Sequence, residues 1–214
     1  MIKKNNFFSS LNFEELVKRN QEFSEKYNNN ALLKFIKTEA IKDKSTRARL
    51  LDCIQVLSDY FQKALMLRYV LGNQVDSINI AYQHLCEEFG HSFSLMKDRD
   101  FRVPVWDPIL EATSSWFSWK MFNTSDEGRT LLIHLVLEAS ADAFFSEAIK
   151  MMQEFNETNY YTIHAEVDEQ HEKMGLALLE GLSAQQYKSL FELQQQGWDM
   201  INVICTRIAE LCSI

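Results

Sequence analysis

The chain has 214 residues, which is enough for one domain with a sizeable hydrophobic core. Hydrophobic residues make up 46% of it and charged residues 24%, a balance that excludes a disordered or collagen-like protein. The 22 Lys and Arg against 30 Asp and Glu give a formal net charge of -8, a field that repels nucleic acid, so no nucleic-acid partner is expected.

Helix-breaking residues are scarce. There are six Gly and two Pro, and both prolines, Pro104 and Pro108, lie in one short segment. Because apolar residues recur at three- and four-residue spacing between these few breaks, nearly the whole chain is predicted to be helical. The predicted helices run near residues 12–27, 31–42, 46–72, 76–97, 107–123, 127–156, 158–180 and 184–211.

Local signals mark the ends of some of these helices. Thr124-x-x-Glu127 and Ser183-x-x-Gln186 are capping-box patterns. Long helices joined by short loops predict an all-α, compact bundle of about seven or eight helices. We expect a single domain over residues 1–214, with residues 1–45 as an N-terminal helical extension that packs on the bundle.

The most informative chemical pattern is His164-x3-Asp168-x2-His171 on the predicted helix 158–180. A helix places positions i, i+4 and i+7 within an arc of roughly 60°, so the three side chains share one face. Two imidazoles and a carboxylate suit non-haem iron or a similar metal, whereas a structural zinc site more often recruits cysteines. A solvated polar face is the alternative, and metal binding requires matching ligands from other helices.

Two other predicted helices carry such residues. On helix 76–97, Glu87 lies four residues and Glu88 three residues before His91, so either acid can share the face of the histidine. An exposed acidic pair beside a surface histidine is the alternative.

Glu138 lies within an almost wholly apolar stretch of the predicted helix 127–156. An ionised acid there is costly unless it is paired, and a metal or a salt bridge is its partner. His134 and His84 each share a face with a candidate ligand. We place both outside the ligand set, as residues whose hydrogen bonds orient a ligand.

Together these motifs resemble the haem-oxygenase-like diiron oxidases and oxygenases. That group belongs to the superfamily of the TenA proteins and haem oxygenase, and it includes the chlamydial protein associating with death domains. The resemblance rests on the Glu87-Glu88-x-Gly90-His91 segment, on Glu138 and on the His-x3-Asp-x2-His motif. The segment Leu57-Ser58-Asp59-Tyr60-Phe61 also looks like the Asp-Tyr signature near the pocket of that superfamily.

The resemblance implies a haem-oxygenase-like bundle that holds two Fe2+ ions and uses O2 as co-substrate. Its implied ligands are Glu87 or Glu88, His91, Glu138, His164, Asp168 and His171. The choice between Glu87 and Glu88 stays open, because the first Glu and His are closer in sequence here than in the chlamydial relative.

The implied reaction is oxidation of a small carboxylate, such as an amino acid or a fatty acid, by oxidative C–C cleavage, desaturation or N-oxygenation. Asp59 and Tyr60 are the candidate catalytic residues of the pocket, and Arg68, Lys120 and Arg129 are candidate partners for the substrate carboxylate. The resemblance also implies a homodimer, and an electron donor is compatible with this chemistry.

Two functions of other classes stay open: a metal-free TenA-like or haem-binding enzyme, and a helical protein-interaction module with a vestigial metal stripe. A TenA-like thiaminase needs a cysteine nucleophile beside an acid, and Cys86 beside Glu87 fits this poorly. Scattered cysteines and the absence of a signal-peptide pattern favour a cytoplasmic protein with free thiols. No run of some eighteen apolar residues occurs, so no membrane partner is expected.

Overall fold

The computed structural model describes residues 11–155, 160–161, 171 and 173–213. Within these residues every regular element is helical, as the periodicity predicts. The α-helices are α1 (Phe13–Tyr27), α2 (Ala31–Ile36), α3 (Lys44–Val70), α4 (Val75–Glu88), α5 (His91–Asp98), α6 (Pro108–Phe122), α7 (Asp126–Thr130), α8 (Ala139–Met152) and α9 (Ala184–Cys212). Short 3-10 helices occur at Glu39–Lys42, Gln153–Phe155 and Leu176–Leu179.

A π-helical segment, Leu131–Glu138, joins α7 to α8 in one continuous helix. Its side chains are all buried, in keeping with the apolar run in the sequence. Turns of π-helix inside longer helices are rare and occur often at functional sites. This segment carries both His134 and Glu138, so the irregular part of the helix coincides with the candidate ligands.

Side-chain caps explain where several helices begin. The carboxylate of Asp107 accepts hydrogen bonds from the backbone N–H groups of Ile109 and Leu110 at the start of α6. The predicted capping box of Ser183 and Gln186 is present at the start of α9. The predicted cap at Thr124 is wrong by one residue, because Ser125 accepts from the backbone of Gly128 and starts α7 instead.

The predicted helix 76–97 is interrupted. It ends at Glu88, and a new helix begins at His91, because Gly90 adopts the left-handed conformation with φ +95°. Gln62 of α3 satisfies backbone groups that the interruption leaves open. Its Nε2 donates to the carbonyl of Glu88 at 2.9 Å, and its Oε1 accepts from the N–H of Gly90 at 3.1 Å.

Two long helices, α3 and α9, organise the bundle. Helix α3 packs along α4, α5 and α6, while α9 packs along α2, α6 and the π-helical segment. Gly197 lets α9 approach that segment closely, since a Cβ at this position would lie 3.0 to 3.1 Å from side-chain atoms of Leu132 and Val136. The indole N–H of the next residue, Trp198, donates to Asn20 of α1 at 2.9 Å.

None of the helices in the described ranges combines the length and the apolar character needed to cross a lipid bilayer.

Candidate metal centre

A cluster of imidazoles and carboxylates lies where α4, the start of α5, the π-helical segment and His171 meet. We call it the histidine–carboxylate cluster; its members are His84, Glu87, Glu88, His91, Glu138 and His171. Five of these were proposed as ligands from the sequence, and the structure brings those five together. His164 and Asp168, also predicted as ligands from the sequence, lie outside the described residues.

Three buried side chains form the centre of the cluster. Nε2 of His84 lies 2.9 Å from Oε1 of Glu138, and Nδ1 of His171 lies 3.9 Å from Oε2 of the same carboxylate. The three side chains are at most 2% exposed. One donor atom from each lies within 4.8 Å of the other two, so a single ion can be shared by all three.

Three of the four ring nitrogens of His84 and His171 form no hydrogen bond within the described residues. Within the described part of the chain, neither nitrogen of His84 has a hydrogen-bond partner, despite the 2.9 Å approach to Glu138. Nδ1 of His171 also has no hydrogen-bond partner there, although Oε1 of Glu88 lies 3.2 Å away. Buried polar atoms of this kind cost about 1–3 kcal/mol each unless something satisfies them. A bound cation would do so.

The two neighbouring acids of α4 contact different nitrogens of His171. Glu88 is 1% exposed and faces Nδ1, the nitrogen that also faces Glu138, while its second oxygen lies 2.8 Å from Nδ1 of His91. Glu87 is 38% exposed and lies 3.0 Å from Nε2 on the far side of the ring. Its other oxygen accepts from Gln83 at 3.0 Å. The geometry therefore favours Glu88 as a ligand and Glu87 as the outer partner of His171.

The charge states of the histidines differ. Burial, with the nearby His171 and Arg68, lowers the pKa of His84 to about 3, so this ring is neutral at pH 7. Burial lowers the pKa of His171 as well, but Glu88 and Glu87 outweigh it and leave the pKa above its ordinary value. Neutral imidazole is the form that binds metals, and a bound cation would replace the proton that the carboxylates favour on His171.

Asp59 and Tyr60, proposed as catalytic residues of the pocket, do not line the cavity next to the cluster. Asp59 accepts from Gln55 at 2.7 Å, and the pKa of Tyr60 is raised chiefly by a hydrogen bond with Glu111. Their neighbours on α3, Ser58 and Phe61, do line that cavity. Positions i and i+3 share a helix face, so Ser58 and Phe61 face the cavity. Asp59 and Tyr60 lie on other faces of α3.

The cavity itself has a volume of about 90 Å³, and Glu138 forms part of its wall. The remaining described lining is almost wholly aliphatic and aromatic, with a few hydroxyl and thiol groups. It consists of Tyr27, Leu32, Ile54, Leu57, Ser58, Phe61, Leu137, Ser140, Ala141, Phe144, Phe145, Tyr160, Ile201, Ile204, Cys205 and Ile208. The cluster therefore borders an apolar chamber in the centre of the bundle.

The three cations considered as carboxylate partners have other contacts. Arg129 donates to Asp126 and to backbone carbonyls, and Lys120 donates to Gln196 on the surface. Arg68 is buried behind the cluster, where its Nη1 donates to Nε2 of His134 at 2.7 Å. None of the three is among the described residues that line the cavity.

This arrangement of helices is the haem-oxygenase-like fold. A TenA homolog (PSPTO1738) from Pseudomonas syringae pv. tomato str. DC3000 superposes with a TM-score of 0.70 and 13% identity, over 92% of each chain. A domain of unknown function with a heme oxygenase-like fold, from Shewanella denitrificans OS217, superposes with a TM-score of 0.68 and 13% identity, over 92% of this chain and 91% of that one. The predicted fold is thus confirmed, and at this identity the likeness concerns the fold alone.

Sequence similarity identifies a family within that fold. The chain is 32% identical over 199 residues to the uncharacterized protein RP592 of Rickettsia prowazekii (strain Madrid E), a match that covers 93% of this chain and 95% of that protein. The chain belongs to the same family as RP592. No family model matches the chain.

Proposed function

We propose that the protein is a non-haem diiron, dioxygen-dependent oxidase or oxygenase that acts on a small carboxylate. The observation that carries this proposal is the centre of the cluster, where His84, Glu138 and His171 bring one donor atom each within 4.8 Å of the others. Two imidazoles and one carboxylate are the ligand set of many non-haem Fe(II) oxygenases.

The donors fit iron by their chemistry as well as by their spacing. Imidazole and carboxylate suit non-haem iron, and here the three donor groups are buried and close together, with no hydrogen bond on either nitrogen of His84 or on Nδ1 of His171 within the described residues. Glu88 and His91 adjoin this centre, and His164 and Asp168 would complete a set large enough for two ions. His84 thus joins the ligand set, and Glu87 takes the outer place beside His171.

When bound, reduced iron would supply the electrons and the open coordination positions for reaction with dioxygen. The residues of this chain would perform the remaining tasks. The apolar wall excludes water from the reacting centre, and Glu87 holds the ring of His171 through its outer nitrogen.

The cavity sets the expected size and polarity of the substrate. Its volume of about 90 Å³ is below the ~150 Å³ of a cavity that accommodates benzene, so it accepts a short apolar group or one segment of a longer chain. The described wall contains no Lys, Arg or His, and Glu138 is its only acid. The positive charge that pairs with a substrate carboxylate would therefore come from the metal, at the end of the cavity where Glu138 lies.

A cysteine-dependent TenA-like hydrolase fits less well. Cys86 is exposed on the surface of α4. Cys205 does line the cavity, but burial raises the pKa of its thiol to about 12, which suppresses the thiolate needed for nucleophilic attack.

The experiment that tests the proposed function is anaerobic loading with Fe2+, followed by exposure to oxygen with a panel of amino acids and fatty acids. We expect oxygen consumption and product formation with at least one class of carboxylate, and neither with a His84→Ala, His171→Ala double variant. Full activity of the double variant, or inertness of the iron-loaded wild type across the panel, would contradict the proposal.

A further inference from the structure

A buried chain of hydrogen bonds runs behind the cluster from α3 to His171. Nη1 of Arg68 lies 2.7 Å from Nε2 of His134, and Nδ1 of His134 lies 2.7 Å from the main-chain carbonyl oxygen of His171. Arg68 and His134 are at most 1% exposed. A second guanidinium nitrogen of Arg68 donates to Oγ1 of Thr130 at 3.4 Å.

The chemistry of the two ends fixes the tautomer of His134. A guanidinium group can only donate, so Nε2 of His134 must accept and carries no proton. A carbonyl oxygen can only accept, so Nδ1 of His134 must carry the proton and donate a hydrogen bond to the main-chain carbonyl of His171. Arg68 therefore selects the one neutral tautomer that can hold the main chain of His171.

His134 also contacts the other candidate histidine ligand. Its ring centroid lies 4.9 Å from that of His84, and the ring of His84 lies 4.5 Å from that of His171. The side chain of His134 therefore contacts both candidate histidine ligands, and the third member of the centre, Glu138, lies on the same π-helical segment four residues further on.

We infer that Arg68 and His134 act as a tautomer clamp, in which His134 is a positioning residue that holds His171 by its main chain and His84 by ring packing. Both ligand histidines are then preorganised before an ion arrives, which reduces the conformational entropy lost on binding. The inference rests on the proposed function in so far as His84 and His171 are taken as metal ligands.

The clamp can be tested first without metal. In protein with 15N-labelled histidine, long-range 1H–15N correlation spectra should show His134 protonated at Nδ1 only. Arg68→Met keeps an unbranched side chain and removes the guanidinium donors, so this variant should show a mixture of tautomers. Protonation of His134 at Nε2, or at both nitrogens, in the wild type would overturn the clamp whether or not the protein binds metal.

The second test measures binding of Co2+, used as a spectroscopic probe, by its visible absorption. We expect His134→Leu to weaken binding by about 10–100-fold and to change the spectrum. His134→Gln should restore most of the affinity, because its amide can accept from Arg68 and donate to His171. Asn20→Leu is the matched control, since Asn20 is a buried, hydrogen-bonded residue packed against α9.

These outcomes separate the two ideas. A wild type that binds no metal contradicts the proposed function, while the tautomer spectrum still tests the clamp. A wild type that binds metal, with His134→Leu and Arg68→Met binding equally tightly and with unchanged spectra, overturns the clamp and leaves the proposed function standing. If His134→Leu does not fold, Arg68→Met and His134→Gln carry the comparison.

Discussion

Nε2 of His84 lies 2.9 Å from Oε1 of Glu138, with both side chains almost completely withdrawn from solvent. Because burial lowers the pKa of His84 to about 3, the ring is neutral at pH 7 and the contact is not an ordinary ion pair. The ring nitrogen is not aligned for a hydrogen bond either. A cation between them would bind the imidazole nitrogen and the carboxylate together.

The two neighbouring acids should differ in their importance for metal binding. Glu88→Gln removes a buried charge next to Nδ1 of His171, whereas Glu87→Gln changes a half-exposed residue on the far side of the ring. We expect Glu88→Gln to abolish binding of at least one ion and Glu87→Gln to weaken affinity by about 10–100-fold. Anaerobic Fe2+ titration with a colorimetric iron assay measures both, and the reverse ranking would contradict the assignment.

Gly90 should matter for the site beyond its effect on folding. Gly90 and Gly181 both have positive φ, of 95° and 66°, and a Cβ would meet no atom within 4 Å at either position. Alanine at either position should therefore lower the free energy of unfolding by about 1–2 kcal/mol through backbone strain alone. Only Gly90→Ala should also weaken metal binding, because Gly90 sets the direction in which α5 leaves Glu88. Urea unfolding and metal titration of both variants test this, and equal metal affinities would refute it.

Filling the cavity should block turnover without removing the metal. Ala141 lines the cavity next to the cluster, so Ala141→Phe is expected to abolish oxygen consumption that depends on substrate while the iron content stays unchanged. Ala112→Phe, on the exposed side of α6, is the control for adding an aromatic ring. Normal turnover by Ala141→Phe would show that the substrate binds elsewhere.

The stability of the metal-free protein should fall as the pH drops from about 6.5 to about 3. Over that range the unfolded chain binds a proton at His84 that the folded chain does not, which costs about 1.4 kcal/mol per pH unit. The pKa of His134 is lowered by burial and acts in the same direction. The pKa of His171 is raised, so this residue adds stability as the pH falls through its folded pKa towards 6.5.

Urea unfolding between about pH 6 and about pH 4 measures this slope for the wild type and for His84→Gln. The variant should show a shallower dependence, because it lacks one group that is neutral when folded and charged when unfolded. Identical slopes would mean that His84 is solvated in the folded protein.

The sequence predicts the helical fold well, because helical periodicity and scarce Gly and Pro are local properties. It does not predict the interruption at Gly90, since glycine is tolerated within a helix and the groups that satisfy the break come from Gln62 on another helix. The assignment of Asp59 and Tyr60 to the pocket depends on which face of α3 meets the cavity, and packing decides that face.

His84 is the member of the central triad that sequence reasoning placed outside the ligand set. A signal was present, since His84 lies seven residues before His91 and four before Glu88, on one stripe of the same predicted helix. What the sequence could not supply was the position of Glu138, which lies 54 residues further along the chain and comes within 2.9 Å of His84 only in the folded bundle.

The most direct test of the central claim is a crystal structure of the anaerobically Fe2+-loaded protein, with anomalous scattering recorded at the iron edge. We predict an iron peak at bonding distance from Nε2 of His84, a carboxylate oxygen of Glu138 and Nδ1 of His171, with a second peak in the same cluster. An iron-loaded crystal with no anomalous peak among these three side chains would contradict the account.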